Sequence, residues 1–320
     1  MKQYLDAVRE ILTKGTRKPN RTGVDTLSTF NVNYEIDLQQ GFPLLTTKTI
    51  SWKNIVVELL WFLSGQVHIE ILKKHKCKFW DAWVDEDGRV PSAYGNFWRS
   101  FPVHEEPLDP SLHHRINISY NDQIKWAVDT LTKDPMSRRV VISAWAPGNA
   151  QTSKLPPCHC LFVFNTQNTL VSADNRLSNH TDMVVSGHYE TEPRLCLHLT
   201  QRSCDIALGV PYNIASYALL LELFSRFTGI KPGIFAHTLI DAHAYTCKAD
   251  GSMADMDHVP GLEMQLTREP RKLPKLIIHP DIKTLYDVEG LLQLDTDEVM
   301  KHFVLENYDP WPAIPFKVAV

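Results

Sequence analysis

The chain has 320 residues, 43% of them hydrophobic and 22% charged, with a formal net charge of −4. That is enough chain for a sizeable core, in the balance of a soluble globular protein. It offers no concentrated basic surface, which argues against a partner such as nucleic acid or an anionic membrane; a small anionic ligand needs only a few arginines.

The opening stretch "MKQYLDAVREILTKG" sets Tyr4, Leu5, Val8, Ile11 and Leu12 at helical spacing, with Gly15 as a stop. A helix is expected there, not a signal peptide, and with it a cytoplasmic location. Next, "TLSTFNVNYEIDL" (26–38) alternates like a strand, and "GFPLLTTK" (41–48) turns away from it. "NIVVELLWFLSG" (54–65) reads as a buried helix, well short of the roughly 20 residues that a membrane span needs. A Pro- and His-rich stretch at 101–120 has no period and is expected to be a surface loop.

"NDQIKWAVDTLTKD" (121–134) predicts an amphipathic helix capped by Asn121, and "RVVISAW" (139–145) a strand. Pro156 and Pro157 then fix the chain before an apolar strand, "CLFVFNT" (160–166). A polar, turn-rich insert is expected over 167–194, then a strand, "LCLHLTQ" (195–201). "ASYALLLELFSRFTG" (215–229) is apolar nearly all round and predicts a buried helix. Helices and strands mix without the regular beat of βαβ units. The expected fold is α+β, a single domain over 1–320 with a mixed sheet packed by helices and insertions near 167–194 and 246–262.

The chemistry turns on residues 155–160, "LPPCHC". C-x-C lacks the usual C-x-x-C spacing, and no second compact Cys/His pair completes four ligands, so no metal is expected. Six cysteines scattered over a long, cytosolic-looking chain also disfavour a disulfide framework. Cys158 is therefore either a packed thiol or a reactive one. It follows a rigid Pro-Pro turn, and a thiolate there would need positive surroundings. The reading as a small buried hydrophobe suits Cys160, Cys196, Cys204 and Cys247 better.

Glu58 sits inside "IVVELLWFL", where desolvation would raise its pKa and suit it to proton transfer near neutral pH. Arg21, Arg138, Arg139 and Arg202 adjoin the hydroxyls of Thr22, Ser137 and Ser203, a natural combination for phosphate. Asp205, Asn213, His243 and Tyr245 lie in polar stretches beside apolar runs and are candidates for reading a polar ring and a sugar.

The combination resembles folate-dependent thymidylate synthases with a cysteine nucleophile. The match runs nearly end to end, through "NRTG", "GFPLLTTK", "ELLWFLSG", "FWDAW", "YGNFWR", "SRRVVISAW", "LPPCHC", "QRSCDIALGVPYNIASYALL", "HTLIDAHAY", "LTREPRKLPKL" and a terminal "VAV". The resemblance implies reductive methylation of deoxyuridylate (dUMP) to thymidylate, with 5,10-methylenetetrahydrofolate as co-substrate and dihydrofolate as the second product. It implies that Cys158 attacks C6 of the uracil ring and that Glu58 and Tyr94 manage protons. Asn213 would read the O4/N3 edge, with His159 helping through ordered water.

By the same resemblance Arg21, Gln201, Arg202 and Ser203 are substrate contacts, and His243 and Tyr245 meet the deoxyribose. Trp80, Asp205, Leu208, Gly209, Tyr212 and Ala319 line the folate side, where Lys48 meets the glutamate tail. Arg138 and Arg139 come from the other subunit, which implies a homodimer formed on a sheet face and requires neither membrane nor nucleic acid. Phe97, Val163 and the insert depart from the usual pattern. A deoxyuridylate hydroxymethylase, in which water replaces hydride, is the alternative on the same fold.

Overall fold

The computed structural model describes residues 1–105, 117–150, 154–170 and 191–319. Helix α1 (Lys2–Lys14) leads into strands β1 (Thr16–Pro19) and β2 (Asp25–Asp37). Helices α2 (Trp52–Ser64), α3 (Glu70–Lys74) and α4 (Tyr94–Arg99) follow. Then come β3 (Phe101–Glu105), β4 (Asn117–Asn121), α5 (Gln123–Lys133), β5 (Val141–Ser143) and the short α6 (Pro147–Ala150). The centre of the fold is β6 (His159–Leu170), β7 (Thr191–Gln201), β8 (Cys204–Asp205), α7 (Gly209–Thr228) and β9 (Pro232–Thr246). Helix α8 (Val259–Leu266), β10 (Lys275–Ile278), α9 (Leu285–Glu289), α10 (Thr296–Lys301) and β11 (Phe303–Glu306) complete it.

The main sheet among the described residues has seven strands in the order β1-β2-β9-β7-β6-β5, with β8 alongside β9. Most pairs are antiparallel, but β7 and β8 run parallel to β9, so the sheet is mixed, as the α+β expectation required. A parallel pair needs a crossover, and α7 supplies it between β7 and β9. The first half of α7 is therefore delivered beside the end of β7. His159, at the start of β6, lies opposite Gln201, at the end of β7, and Asp205 pairs with His243 of β9. Segments far apart in sequence thus converge at one end of the sheet.

One sheet face is covered. Phe162, Phe164, Leu195, Leu197, Leu199, Phe235 and Leu239 point into a core shared with α2 and α7. The opposite face carries Leu161, Val163, His198, Ile234 and Thr238, all only half-buried. Helix α4 lies close against α2 because Gly95 has no side chain; a Cβ there would collide with the Phe62 backbone. No helix of the described residues is long and apolar enough to cross a membrane.

Several local expectations change. The cap of α5 is Asp122, whose carboxylate accepts from Lys125 N at 2.9 Å, because Asn121 belongs to β4. The ends of the 101–120 stretch pair as β3 and β4, with 106–116 outside the described residues. Strands β6 and β7 extend into the expected insert, reaching Leu170 and beginning at Thr191; 171–190 also lie outside the described residues. Helix α7 begins at Gly209, six residues before position 215, because Asp205 accepts from Ala207 N and Leu208 N at 2.9 and 3.1 Å and organises the turn into it.

Candidate active site

Cys158 sits between the Pro-Pro turn and β6, and Arg202 fixes that turn. Its guanidinium donates to the carbonyls of Pro157 at 2.9 Å and Pro156 at 2.7 Å. Its backbone N–H donates to the Cys158 carbonyl at 2.9 Å, while its charged group lies over the Trp145 ring. The Cys158 N–H donates to the Tyr94 hydroxyl at 3.2 Å. Burial pushes the Cys158 thiol up, and the charges of Arg202 and Arg21 pull the other way. The resting group is a thiol with the cations that would stabilise its anion already in place.

Helix α2 presents Glu58 to the same region. Burial raises its carboxyl to about 7, against the Trp80 indole N–H, which donates to Oε1 at 2.7 Å. Tyr94 is buried beside both groups: burial first, then the nearby Cys158, raises its pKa well above the usual value. Its ring stacks on His159 at 4.4 Å and 9°. Burial lowers His159 to about 3, so it is a neutral imidazole; one nitrogen meets the Tyr217 hydroxyl at 3.1 Å and the ring also contacts the Asn213 amide.

Asn213, on the first half of α7, accepts from Gln201 Nε2 at 3.1 Å. His243 is buried and faces Asp241; burial opposes its charge, but the carboxylate prevails and raises its pKa. Tyr245 meets His243 edge to face, and burial raises its hydroxyl to about 12. Arg21 is exposed, with its guanidinium 5.8 Å from the Trp83 ring centroid. Its positive field reaches both Cys158 and Tyr245. Ser203 is half-buried on the bend after β7.

Asp205 opens a second wall. His258 lies beside it, with Nδ1 4.0 Å from the carboxylate and Nε2 donating to the Lys317 carbonyl at 2.8 Å. The chain after β11 thus folds back as a strap toward Ala319. Phe316 in the strap packs where Gly261 leaves room and lies 4.7 Å from the Lys48 ammonium. Lys48 is itself buried and donates to the Ala207 carbonyl; burial lowers it to about 8. Leu208 and Gly209 begin α7, and Tyr212 meets Phe79 edge to face at 4.9 Å.

The structure therefore groups Cys158, Glu58, Tyr94, His159, Asn213, Gln201, Arg202, Asp205, His243 and Tyr245 around one end of the sheet. Arg138 and Arg139 are not among them. Both are exposed and line a surface cavity of about 460 Å³ with Trp126, Thr130 and Met136. Tyr217, Trp145, His258 and Phe316 escaped the sequence reading. The first three sit among apolar or loop residues with no distinguishing pattern; Phe316 had only its proximity to the terminal motif.

A family model described as Thymidylate synthase matches residues 2–320. The chain belongs to the thymidylate synthase family. A relative named "Thymidylate synthase" from Haloferax volcanii is 40% identical over 364 aligned residues, covering 98% of this chain and 95% of the relative. Membership of the thymidylate synthase family makes the chain an enzyme of methyl transfer. It agrees with the end-to-end run of motifs and does not favour the hydroxymethylase alternative.

Proposed function

We propose that Cys158 is the nucleophile by which this enzyme converts dUMP to thymidylate with methylenetetrahydrofolate. The observation that carries the proposal is the setting of Cys158: a thiol fixed through its backbone by Tyr94 and Arg202 and flanked by two cations. The sulfur adds to C6 of the base and the ring electrons move toward C5 and O4. Carbon C5 then bonds to the one-carbon unit, and the C5 proton leaves through the Glu58 and Tyr94 group. Folate supplies both the carbon and the hydride; it leaves as dihydrofolate while the exocyclic methylene becomes methyl and the C6–S bond breaks.

A carboxyl near 7 is matched to accept and return protons at neutral pH. Asn213 donates to O4 and accepts from N3–H, the uracil pattern. Arg21, Arg202 and Ser203 hold the phosphate, and His243 and Tyr245 the deoxyribose. Trp80, Asp205, Leu208, Gly209, Tyr212 and the strap at Ala319 cover the folate and exclude water. Lys48 steadies that wall from beneath, and reaching a glutamate tail would require its ammonium to leave Ala207.

Two such chains pair through the open sheet face as a homodimer, acting as one cytoplasmic catalytic domain each. Arg138 and Arg139, exposed and without an ion pair among the described residues, support this reading, because each pair would complete the partner's phosphate site. The test is direct. With dUMP and methylenetetrahydrofolate, dihydrofolate absorbance should rise in step with a nucleotide of thymidylate mass. A hydroxymethyl product without dihydrofolate would overturn the reading.

A further inference from the structure

We propose that Tyr34 and His237 are positioning residues that set the base preference of the site, by fixing the Asn213 amide through Gln201. The inference rests on the reading of Asn213 as the residue that meets the base.

The direction of each hydrogen bond follows from what its atoms can do. The Ser203 carbonyl only accepts, so the Gln201 side-chain atom 3.1 Å from it is the amide nitrogen. The same nitrogen lies 3.1 Å from Asn213 Oδ1 and donates there too. Gln201 therefore turns its oxygen toward His237, whose Nε2 is 3.1 Å away and must carry a proton. His237 is 1% exposed, and burial lowers its pKa well below the ordinary value, so the ring is neutral and carries one proton only. That leaves Nδ1 bare, accepting from the Tyr34 hydroxyl at 2.8 Å.

The relay crosses the sheet. Tyr34 on β2 is the register partner of His237 on β9, and their rings meet edge to face at 5.4 Å. His237 then reaches Gln201 at the end of β7, and Gln201 reaches Asn213 on α7.

The consequence concerns cytosine. Its N3 accepts and its exocyclic amine donates, the reverse of uracil. To accept it, Asn213 must turn its amide over, which sets Nδ2–H against the Gln201 N–H. If Gln201 turns as well, its amide meets the His237 N–H and its oxygen meets the Ser203 carbonyl. Each rearrangement leaves buried polar groups facing their own kind, and such groups are costly to leave unpaired. His237 and the Ser203 carbonyl are two locks on one amide; Tyr34 biases the first, because in the other tautomer His237 Nδ1–H would donate to its hydroxyl oxygen and take the place of the bond that hydroxyl now donates.

The experiment measures dUMP and dCMP dissociation constants by calorimetry on the full chain. His237→Leu should improve dCMP binding relative to dUMP by about three- to tenfold, one lock being lost and one kept. Tyr34→Phe should shift the ratio the same way by less, and His237→Gln, which restores an N–H donor, should return it toward the parent. General loosening of the pocket weakens both nucleotides and leaves the ratio alone. A folded His237→Leu with an unchanged ratio overturns the relay; if that variant does not fold, an unchanged ratio in Tyr34→Phe does so. Asn213→Asp separates the two levels. If it leaves the ratio unmoved, the reading of Asn213 falls and the relay with it; if it alone moves the ratio, only the relay falls.

Discussion

The Trp80 indole donates to Glu58 Oε1 at 2.7 Å, placing a hydrogen-bond donor on a carboxyl that burial pushes up to about 7. The enzyme thus keeps at neutral pH a group that can both take and give a proton. Holding it there works against stability.

The sign is fixed by linkage. Glu58 releases its proton near 4.5 in an unfolded chain and near 7 when folded. Between those values the folded state binds more protons, so its stability falls as pH rises through the window, and the loss is complete above 7. Glu58→Gln keeps an acceptor for Trp80 and removes the charge. It should match the parent near pH 4 and exceed it at pH 8 by on the order of 3 kcal/mol, while turnover falls roughly 10²–10⁴-fold. Urea unfolding at the two pH values, with activity alongside, checks both halves.

Trp80→Phe should move the activity profile. The indole N–H favours the ionised carboxylate, so its loss lifts the Glu58 pKa further above 7. The acid limb of kcat/KM should then shift to higher pH. A limb that stays in place would mean that Glu58 does not set it.

Lys317 accepts from His258 through its carbonyl, and Phe316 packs against Gly261 and Lys48. Phe316→Ala should therefore loosen the strap. It should raise the KM for methylenetetrahydrofolate by about tenfold, the worth of one partly buried aromatic ring, and leave dUMP binding nearly unchanged. Equal losses for both substrates would place Phe316 in the general fold instead.

Arg138 and Arg139 make no contact with the Cys158 site of their own chain among the described residues. If they complete the partner's site, Arg139→Ala and Cys158→Ser subunits, each inactive alone, should regain activity when unfolded and refolded together. No recovery on mixing would remove the shared-site arrangement.

Much of this was legible in the chain because it is local. The apolar surroundings of Glu58 announced a perturbed carboxyl, the Pro-Pro turn a fixed cysteine, and the run before Gly229 a buried helix. Long-range facts were not legible. That β2 pairs with β9, some 200 residues later (Tyr34 with His237, for example), follows from a crossover that no local pattern encodes. The early start of α7 was hidden because Gly209 and Pro211 look like turn residues until Asp205 is seen organising the backbone ahead of them. His237 reads as one more histidine in an alternating strand; only the folded sheet shows what it faces.

The central claim is that Cys158 forms the bond to the base. Incubation with 5-fluoro-dUMP and methylenetetrahydrofolate should trap a covalent ternary adduct, because fluorine at C5 cannot leave as a proton does. Fragment spectra of the digested protein should place the added mass on Cys158. Cys158→Ser should show no adduct while still binding dUMP. An adduct placed on Cys160, or one that persists in Cys158→Ser, would contradict the account.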